Sequence, residues 1–182
     1  LMKLAHNNRK KVIIFIITDF GVNNWIKMGE NNNLNLRDNV YYIDCFSRQY
    51  PLYQKMEGVI YIEYPYTLTD ISIKLEDLLS ELKSKGMKPI VILHSLSTLI
   101  QNFGGIETYK FLQFLIGRLR MEGITAVFSI QFTDERIARN IEGLADYVIE
   151  MHDGKMKVCG FGALNDWMSY RITKKGIECY LD

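Results

Sequence analysis

Residues 90–97 read Ile-Val-Ile-Leu-His-Ser-Leu-Ser, an uninterrupted apolar run that ends abruptly in polar side chains. A continuous apolar run of this length is typical of a strand buried on both faces, as in parallel sheets. Four similar runs occur elsewhere in the chain, separated by longer segments, and together they predict a parallel sheet. The five predicted strands are Val12–Thr18, Val40–Cys45, Val59–Glu63, Ile90–His94 and Thr125–Gln131.

Helical spacing of apolar residues fills the segments between these strands. Over Thr67–Lys85, leucine and isoleucine recur every three or four residues, which predicts a helix with one buried face. Thr67 and Asp70 form a plausible capping pair at its start, and Gly86 follows its end. The other predicted helices are Gly105–Met121 and Asp134–Ile141, the latter with Thr133 as its N-cap.

From Leu144 onward the helical pattern stops and short strands alternate with turn signals. The predicted hairpin strands are Val148–Met151, Lys155–Cys159, Met168–Ile172 and Ile177–Leu181. We therefore expect an α/β fold, a largely parallel twisted sheet with helices on both faces, extended at its C-terminal end by an antiparallel β-meander. A chain of 182 residues favours a single domain over residues 1–182.

Composition excludes several classes of protein. The 48% hydrophobic and 24% charged residues are typical of a globular domain and argue against disorder. A net charge of +1 indicates no large field for nucleic acid or membranes. The three cysteines are widely spaced, so they predict neither a disulfide framework nor a zinc site, and we expect a cytoplasmic protein. The Ile-, Lys- and Asn-rich composition suggests an AT-rich genome, and with it an archaeal source.

Five groups of residues occur in a fixed order along residues 11–182. They are Ile17–Asp19, Tyr42–Cys45, Ile90–Ser97 with the later strand Gly123–Gln131, Gly143–Glu150, and Arg171–Ile177. In this order and spacing they resemble the KaiC-like branch of the RecA-type P-loop ATPases. The resemblance implies a RecA-like sheet and a nucleotide site at the strand ends.

The chain departs from that family where nucleotide chemistry would take place. No GxxxxGK[ST] occurs in the 182 residues, although this loop holds the phosphates in relatives. His94 stands at the position of the Walker B acid, and imidazole is a poor ligand for magnesium. Asp19-Phe20 replaces the paired acids of active relatives. The resemblance with these losses implies a pseudo-ATPase.

The candidate binding residues are therefore Asp19, His94 and Ser95, at strand ends that match the nucleotide site of the family. For Asp19 we favour the simpler interpretation of an N-cap or turn residue before Gly21–Gly29, and for His94 that of a hydrogen-bonded strand-end histidine. Ser95 and Ser97 could cap a helix or bind phosphate at this strand-end turn, but neither is predicted to be a nucleophile. No catalytic or metal-binding residue is predicted.

The leading hypothesis is a non-catalytic regulatory, binding or assembly module with a protein partner or a second copy of itself. No cofactor is expected, and ATP with magnesium would bind only through an unrecognised phosphate site. The alternative is that the chain is the C-terminal part of an active ATPase whose P-loop lies upstream, and the pair Leu1-Met2 leaves the native start open. A receiver-like or flavodoxin-like regulatory domain is a third interpretation, but the acidic cluster of a phosphoacceptor site is missing.

Overall fold

The computed structural model describes residues 11–32, 34–51, 53–131, 134–160, 162, 166–173 and 176–180. Within them the chain divides into two compact units, one ending at Asp134 and one starting at Glu135. The prediction of one domain over residues 1–182 stays a prediction.

The first unit contains a five-stranded parallel sheet, which confirms all five predicted strands. The strands lie in the order β3-β2-β1-β4-β5. Their bounds are Lys11–Ile17 for β1, Val40–Asp44 for β2, Val59–Tyr61 for β3, Lys88–His94 for β4 and Thr125–Phe128 for β5.

Helices cover both faces of this sheet. They are α1, Val22–Asn31; α2, Leu68–Ser84; α3, Leu96–Phe103; and α4, Gly105–Met121; a short 3-10 helix spans Ser47–Gln49. Alternate residues of a strand point to opposite faces, so the central strand β1 supplies both layers of the core. Ile13, Phe15 and Ile17 pack with Val22 and Ile26 of α1.

The residues of β1 that alternate with these face the other layer. Val12, Ile14 and Ile16 are buried, and α2 and α4 contact the sheet through β2, β4 and β5. The chain runs from β1 to β2 and β3, then returns past β1 to β4 and β5. Because crossover connections are right-handed, this reversal puts α1 on one face and α2 and α4 on the other.

The ends of the helices follow the local sequence. Thr67 and Asp70 form the predicted capping box of α2, in which each side chain accepts a hydrogen bond from the backbone N–H of the other residue. Gly104, with a φ of 82°, separates α3 from α4. The sequence analysis did not predict α3, which is only eight residues long. No helix in the described ranges is long and apolar enough to cross a membrane.

The second unit contains α5, Glu135–Glu142, and an antiparallel sheet in the order β6-β7-β8-β9. Its strands are Tyr147–His152, Lys155–Gly160, Met168–Thr173 and Gly176–Tyr180. The predicted meander is therefore confirmed, and helix α5 lies close to its predicted bounds. Thr133, its predicted N-cap, and Leu181 lie outside the described residues.

Within the described residues the meander forms a four-stranded antiparallel sheet of its own. Its strands pair with their sequence neighbours across short connections, which closes small loops at little cost in chain entropy.

Replacing glycine by alanine should have opposite effects on stability at two helical positions, Gly29 and Gly117. A Cβ on Gly29 would lie 2.4 Å from Cδ1 of Leu36, whose side chain is buried. A Cβ on Gly117 would meet no atom within 4 Å. We expect Gly29→Ala to lower the free energy of unfolding by about 1–3 kcal/mol because it overpacks this core. Urea denaturation of the variant and of the unchanged protein measures this difference in free energy.

The matched control is Gly117→Ala, which should raise the free energy of unfolding by about 0.5–1 kcal/mol through helix propensity. Equal effects of the two substitutions would contradict the packing of Gly29 against Leu36.

Candidate functional site

The candidate site lies where the order of the strands reverses. Strands β1 and β4 are neighbours, yet the chain leaves them toward opposite edges of the sheet, and their last residues, Ile17 and His94, are register partners. In open α/β sheets, ligands bind in the crevice outside the carboxyl ends of the strands at such a point. The residues that follow these two strands are therefore the first to consider.

Thr18 joins the two strand ends through three hydrogen bonds. Its backbone N–H donates to the carbonyl oxygen of His94 over 2.8 Å. Its hydroxyl accepts from the N–H of Ser95 and donates to the carbonyl oxygen of Ser95, both over 2.8 Å. Thr18 and Ser95 are buried, and the peptide bond between His94 and Ser95 is cis. Thr18 thus provides partners for the backbone N–H and C=O of Ser95 and for the carbonyl of His94.

The imidazole of His94 connects three strand ends. Its Nε2 lies 3.0 Å from Oδ2 of Asp19, which follows β1, and its Nδ1 is hydrogen-bonded to the hydroxyl of Ser129, which follows β5. A carboxylate only accepts, so Nε2 carries a proton and donates to Asp19. In the neutral ring Nδ1 then accepts from Ser129. The side chains of His94 and Asp19 are 14% and 21% exposed, so the edge of this network faces solvent.

Two aromatic rings form an apolar wall beside His94. The ring of Trp25 meets the imidazole edge-on, with centroids 4.9 Å apart and an interplanar angle of 80°. Phe20 stacks on Trp25 at 5.1 Å and 6°. Both rings are partly exposed, so the site combines a polar network with an aromatic surface.

Asp44 plays a structural part at the end of the neighbouring strand β2. Its carboxylate is fully buried and accepts from the N–H groups of Val22, Phe46 and Ser47 at 2.7–2.9 Å, and from the hydroxyl of Ser47 at 2.7 Å. The bond from Val22 replaces the cap that Gly21 cannot supply to α1. A Cβ on Gly21 would lie 2.4 Å from the hydroxyl oxygen of Ser47, so a larger residue here would displace that hydroxyl from Asp44.

The structure brings together the three residues predicted for this site. Asp19 and His94 are hydrogen-bonded to each other, and Ser95 is held next to them through its backbone. The strand-end interpretation of His94 is confirmed. Asp19 is not the N-cap of α1, which is Gly21, but it is a turn residue, as the other interpretation predicted, since it lies in the bend between β1 and α1. That the three residues bind a cofactor stays a prediction.

Sequence analysis missed Ser129, Thr18 and Trp25. Ser129 directly follows the apolar part of the fifth strand, so the same rule that selected Asp19 and His94 would have found it. Ser97 lies apart from the network, because its hydroxyl is hydrogen-bonded to the backbone of Gln131.

The side chains at this site are poorly suited to bind a magnesium ion. Mg²⁺ demands octahedral coordination by oxygen, but Asp19 is paired with an imidazole and Asp44 already accepts four hydrogen bonds. In the described part of the chain, no group of three or more His, Cys, Asp or Glu side chains is placed to hold a metal ion.

Comparison with known proteins supports the fold. Residues 54–151, more than half of the chain, match the model of a family of unknown function (DUF7504). No curated protein matches the sequence significantly.

Two solved structures from Pyrococcus horikoshii resemble the chain. Uncharacterized protein PH0321, crystallised in complex with an unknown peptide, superposes with a TM-score of 0.69 at 13% identity, covering 100% of this chain and 84% of its own. KaiC-like protein PH0186 superposes with a TM-score of 0.67 at 10% identity, covering 98% of this chain and 80% of its own. The fold is therefore KaiC-like.

Substitution of the buried carboxylate should destabilise the protein. Asp44→Asn turns an amide NH₂ toward groups that are themselves donors, so at least one of them loses its acceptor. We expect the free energy of unfolding to fall by about 2–3 kcal/mol in chemical denaturation. Asp77→Asn, on the exposed side of α2, is the control and should change it by less than about 0.5 kcal/mol. Equal stability of the two variants would contradict a structural role for Asp44.

The thiols should differ sharply in reactivity. Burial raises the pKa of Cys45 far above its usual value, and the neighbouring charge of Asp44 raises it further, whereas Cys179 is exposed. Because the thiolate is the reactive form, we expect Cys45 to react with a thiol reagent at neutral pH only after unfolding. Spectrophotometric thiol titration of a Cys159→Ser, Cys179→Ser variant tests this. Fast labelling of the folded variant would show that Cys45 is accessible.

Proposed function

The chain belongs to the DUF7504 family, whose function is unknown, and we propose that it is a KaiC-like module that binds other proteins and does not hydrolyse nucleotides. The observation that carries this proposal is the bridge from Asp19 through His94 to Ser129. The bridge occupies the carboxyl ends of three strands with side chains of the chain itself.

Phosphate binding in P-loop proteins depends on a glycine-rich loop, a lysine, and a hydroxyl with a nearby acid for magnesium. Within these 182 residues the GxxxxGK[ST] pattern does not occur. Asp19, whose carboxylate reaches the reversal point, is already hydrogen-bonded to His94. A magnesium ion at Asp19 would compete with the hydrogen bonds that its carboxylate accepts from His94 and from the N–H of Phe20.

One donor that a nucleophilic serine would use, its own backbone N–H, is already engaged at Ser129. The N–H of Ser129 donates to the carbonyl of Leu93, and its carbonyl accepts from Leu96, so its backbone continues the sheet. A nucleophile requires donors aimed at the developing oxyanion as well as a base. These contacts support a stabilising role for the network and a non-catalytic module.

Protein binding is supported by the aromatic wall and by one structural neighbour. Phe20 and Trp25 offer partly exposed rings beside polar groups, a combination that is frequent in protein interfaces. The neighbour PH0321 was crystallised with an unknown peptide. For this chain we propose a protein or peptide partner in the cytoplasm, where its three free cysteines would stay reduced. An archaeal source agrees with the neighbours, which come from an archaeon.

Nucleotide titration tests the proposal. Calorimetry with ATP and magnesium should give no binding heat up to about 1 mM ATP. A ligand that binds the folded protein stabilises it by about 2.7 kcal/mol at 100 times its Kd, which would raise the melting temperature. We therefore expect the melting temperature to stay unchanged. Phosphate release should stay at the level of a blank without protein. The intact mass of the protein in the same sample shows that the expected chain was titrated.

Micromolar, magnesium-dependent binding would overturn the proposal, above all if Asp19→Ala abolishes it and the exposed control Asp77→Ala does not. If only a longer chain from the same gene binds and hydrolyses ATP, the chain is part of an active ATPase, and the proposal is equally wrong.

A further inference from the structure

The carboxylate of Asp19 retains part of its capacity to accept hydrogen bonds. It accepts one from Nε2 of His94 and one from the N–H of Phe20, both over 3.0 Å. An ionised carboxylate has about four acceptor positions, so about two remain for a ligand. In the described part of the chain, His94 is the one basic side chain within 4 Å of this carboxylate. A neutral imidazole leaves the negative charge of Asp19 unbalanced.

The positive ends of the neighbouring helices do not balance this charge either. Helix N-termini attract anions, and both α1 and α3 begin at this edge of the sheet. The first N–H of α1, that of Val22, already donates to the buried carboxylate of Asp44. The first N–H of α3, that of Leu96, donates to the carbonyl oxygen of Ser129. The charge that the crevice offers to a ligand is therefore the negative charge of Asp19.

The aromatic wall lies beside the same carboxylate. Asp19 is hydrogen-bonded to His94, and the ring centroids of Trp25 and Phe20 lie 4.9 Å and 6.3 Å from the centroid of that imidazole. Phe20 also directly follows Asp19 and is partly exposed. The face of an aromatic ring carries partial negative charge, so it attracts cations. The carboxylate and the rings thus favour a ligand of the same charge.

We propose that this crevice binds an arginine side chain of a partner peptide, with the guanidinium hydrogen-bonded to Asp19 and stacked on Phe20. The proposal names the chemistry of the partner and in that sense rests on the proposed function. A metal ion needs several oxygen ligands, whereas a guanidinium donates separate hydrogen bonds and stacks on aromatic rings. It is also more weakly hydrated than an ammonium group, which favours arginine over lysine beside apolar rings.

Paired peptides test the proposal. An array carries acetylated and amidated octapeptides of varied sequence, each with one central arginine, beside twins in which citrulline replaces the arginine. Citrulline has nearly the same shape but no charge. In the absence of nucleotide, the full chain should bind its best arginine peptides with a Kd below about 1 mM, and at least about tenfold more tightly than their citrulline twins.

Asp19→Asn removes the charge and keeps an oxygen acceptor. Its amide can donate to Nε2 of His94 if the imidazole changes tautomer and Nδ1–H donates to the hydroxyl of Ser129, so we expect the variant to fold. The preference for arginine over citrulline should disappear. Asp77→Asn makes the same change of charge on the exposed side of α2 and should keep the preference. Equal melting temperatures would show that both variants fold.

Phe20→Leu tests the ring and leaves the carboxylate in place. Leucine keeps an apolar contact but has no aromatic face, so the arginine peptides should bind about two- to fivefold more weakly and the citrulline twins should be unaffected. This variant also tests the crevice if Asp19→Asn proves to be unfolded.

The emission of Trp25 reports where the peptide binds. Trp167→Phe leaves Trp25 as the one tryptophan among the 182 residues. Titration of this variant with an arginine peptide should change the emission with the Kd found on the unchanged protein.

Equal binding of the paired peptides, a preference that survives Asp19→Asn, or an unchanged Trp25 emission at saturation would each overturn the proposal. Free arginine that binds as tightly as the peptides would also overturn it, because the crevice would then be a site for a small molecule. None of these titrations contains nucleotide. The arginine site can therefore fail while the proposed function stands, and the reverse also holds.

Discussion

The burial of β1 on both faces is the constraint on which the first unit depends. Every side chain from Val12 to Ile17 is at most 3% exposed, so this strand must have a neighbour on each side and a layer of helices above and below. β2 and β4 supply the neighbours, α1 supplies one layer, and α2 with α4 supplies the other. The reversal of strand order beside β1 follows from this central position. It creates the crevice in which Asp19 and His94 meet.

At the carboxyl ends of the strands the burial of polar groups governs the structure. Asp44 is fully buried, and four donors surround it, because an unpaired carboxylate there would cost more than the fold can supply. Thr18 satisfies both polar backbone groups of Ser95 with one hydroxyl. His94 satisfies Asp19 and Ser129 with its two nitrogens. The same hydrogen bonds that stabilise this edge of the sheet also occupy the groups that a magnesium nucleotide would need.

Much of the fold could be predicted because its signals are local. Continuous apolar runs identified all five parallel strands, and the Thr67–Asp70 pair identified the start of α2. What could not be predicted depends on contacts between distant residues. His94 and Ser129 are 35 positions apart, and no local pattern couples them. Helix α3 is short and begins directly after a strand, so its apolar residues resemble a continuation of β4.

The bonds around Thr18 and Ser129 have a consequence for local opening. Thr18 N–H, Leu96 N–H and Ser129 N–H donate across the ends of β1, β4 and β5, beyond the regular ladders. His94, at the end of β4, also contacts Asp19 after β1 and Ser129 after β5. Separating any two of these strand ends would therefore also disturb the third. Amide hydrogens at this edge should therefore exchange with solvent together, in one cooperative opening, although strand ends usually fray individually. These strand ends would then exchange more slowly than ends that fray one at a time.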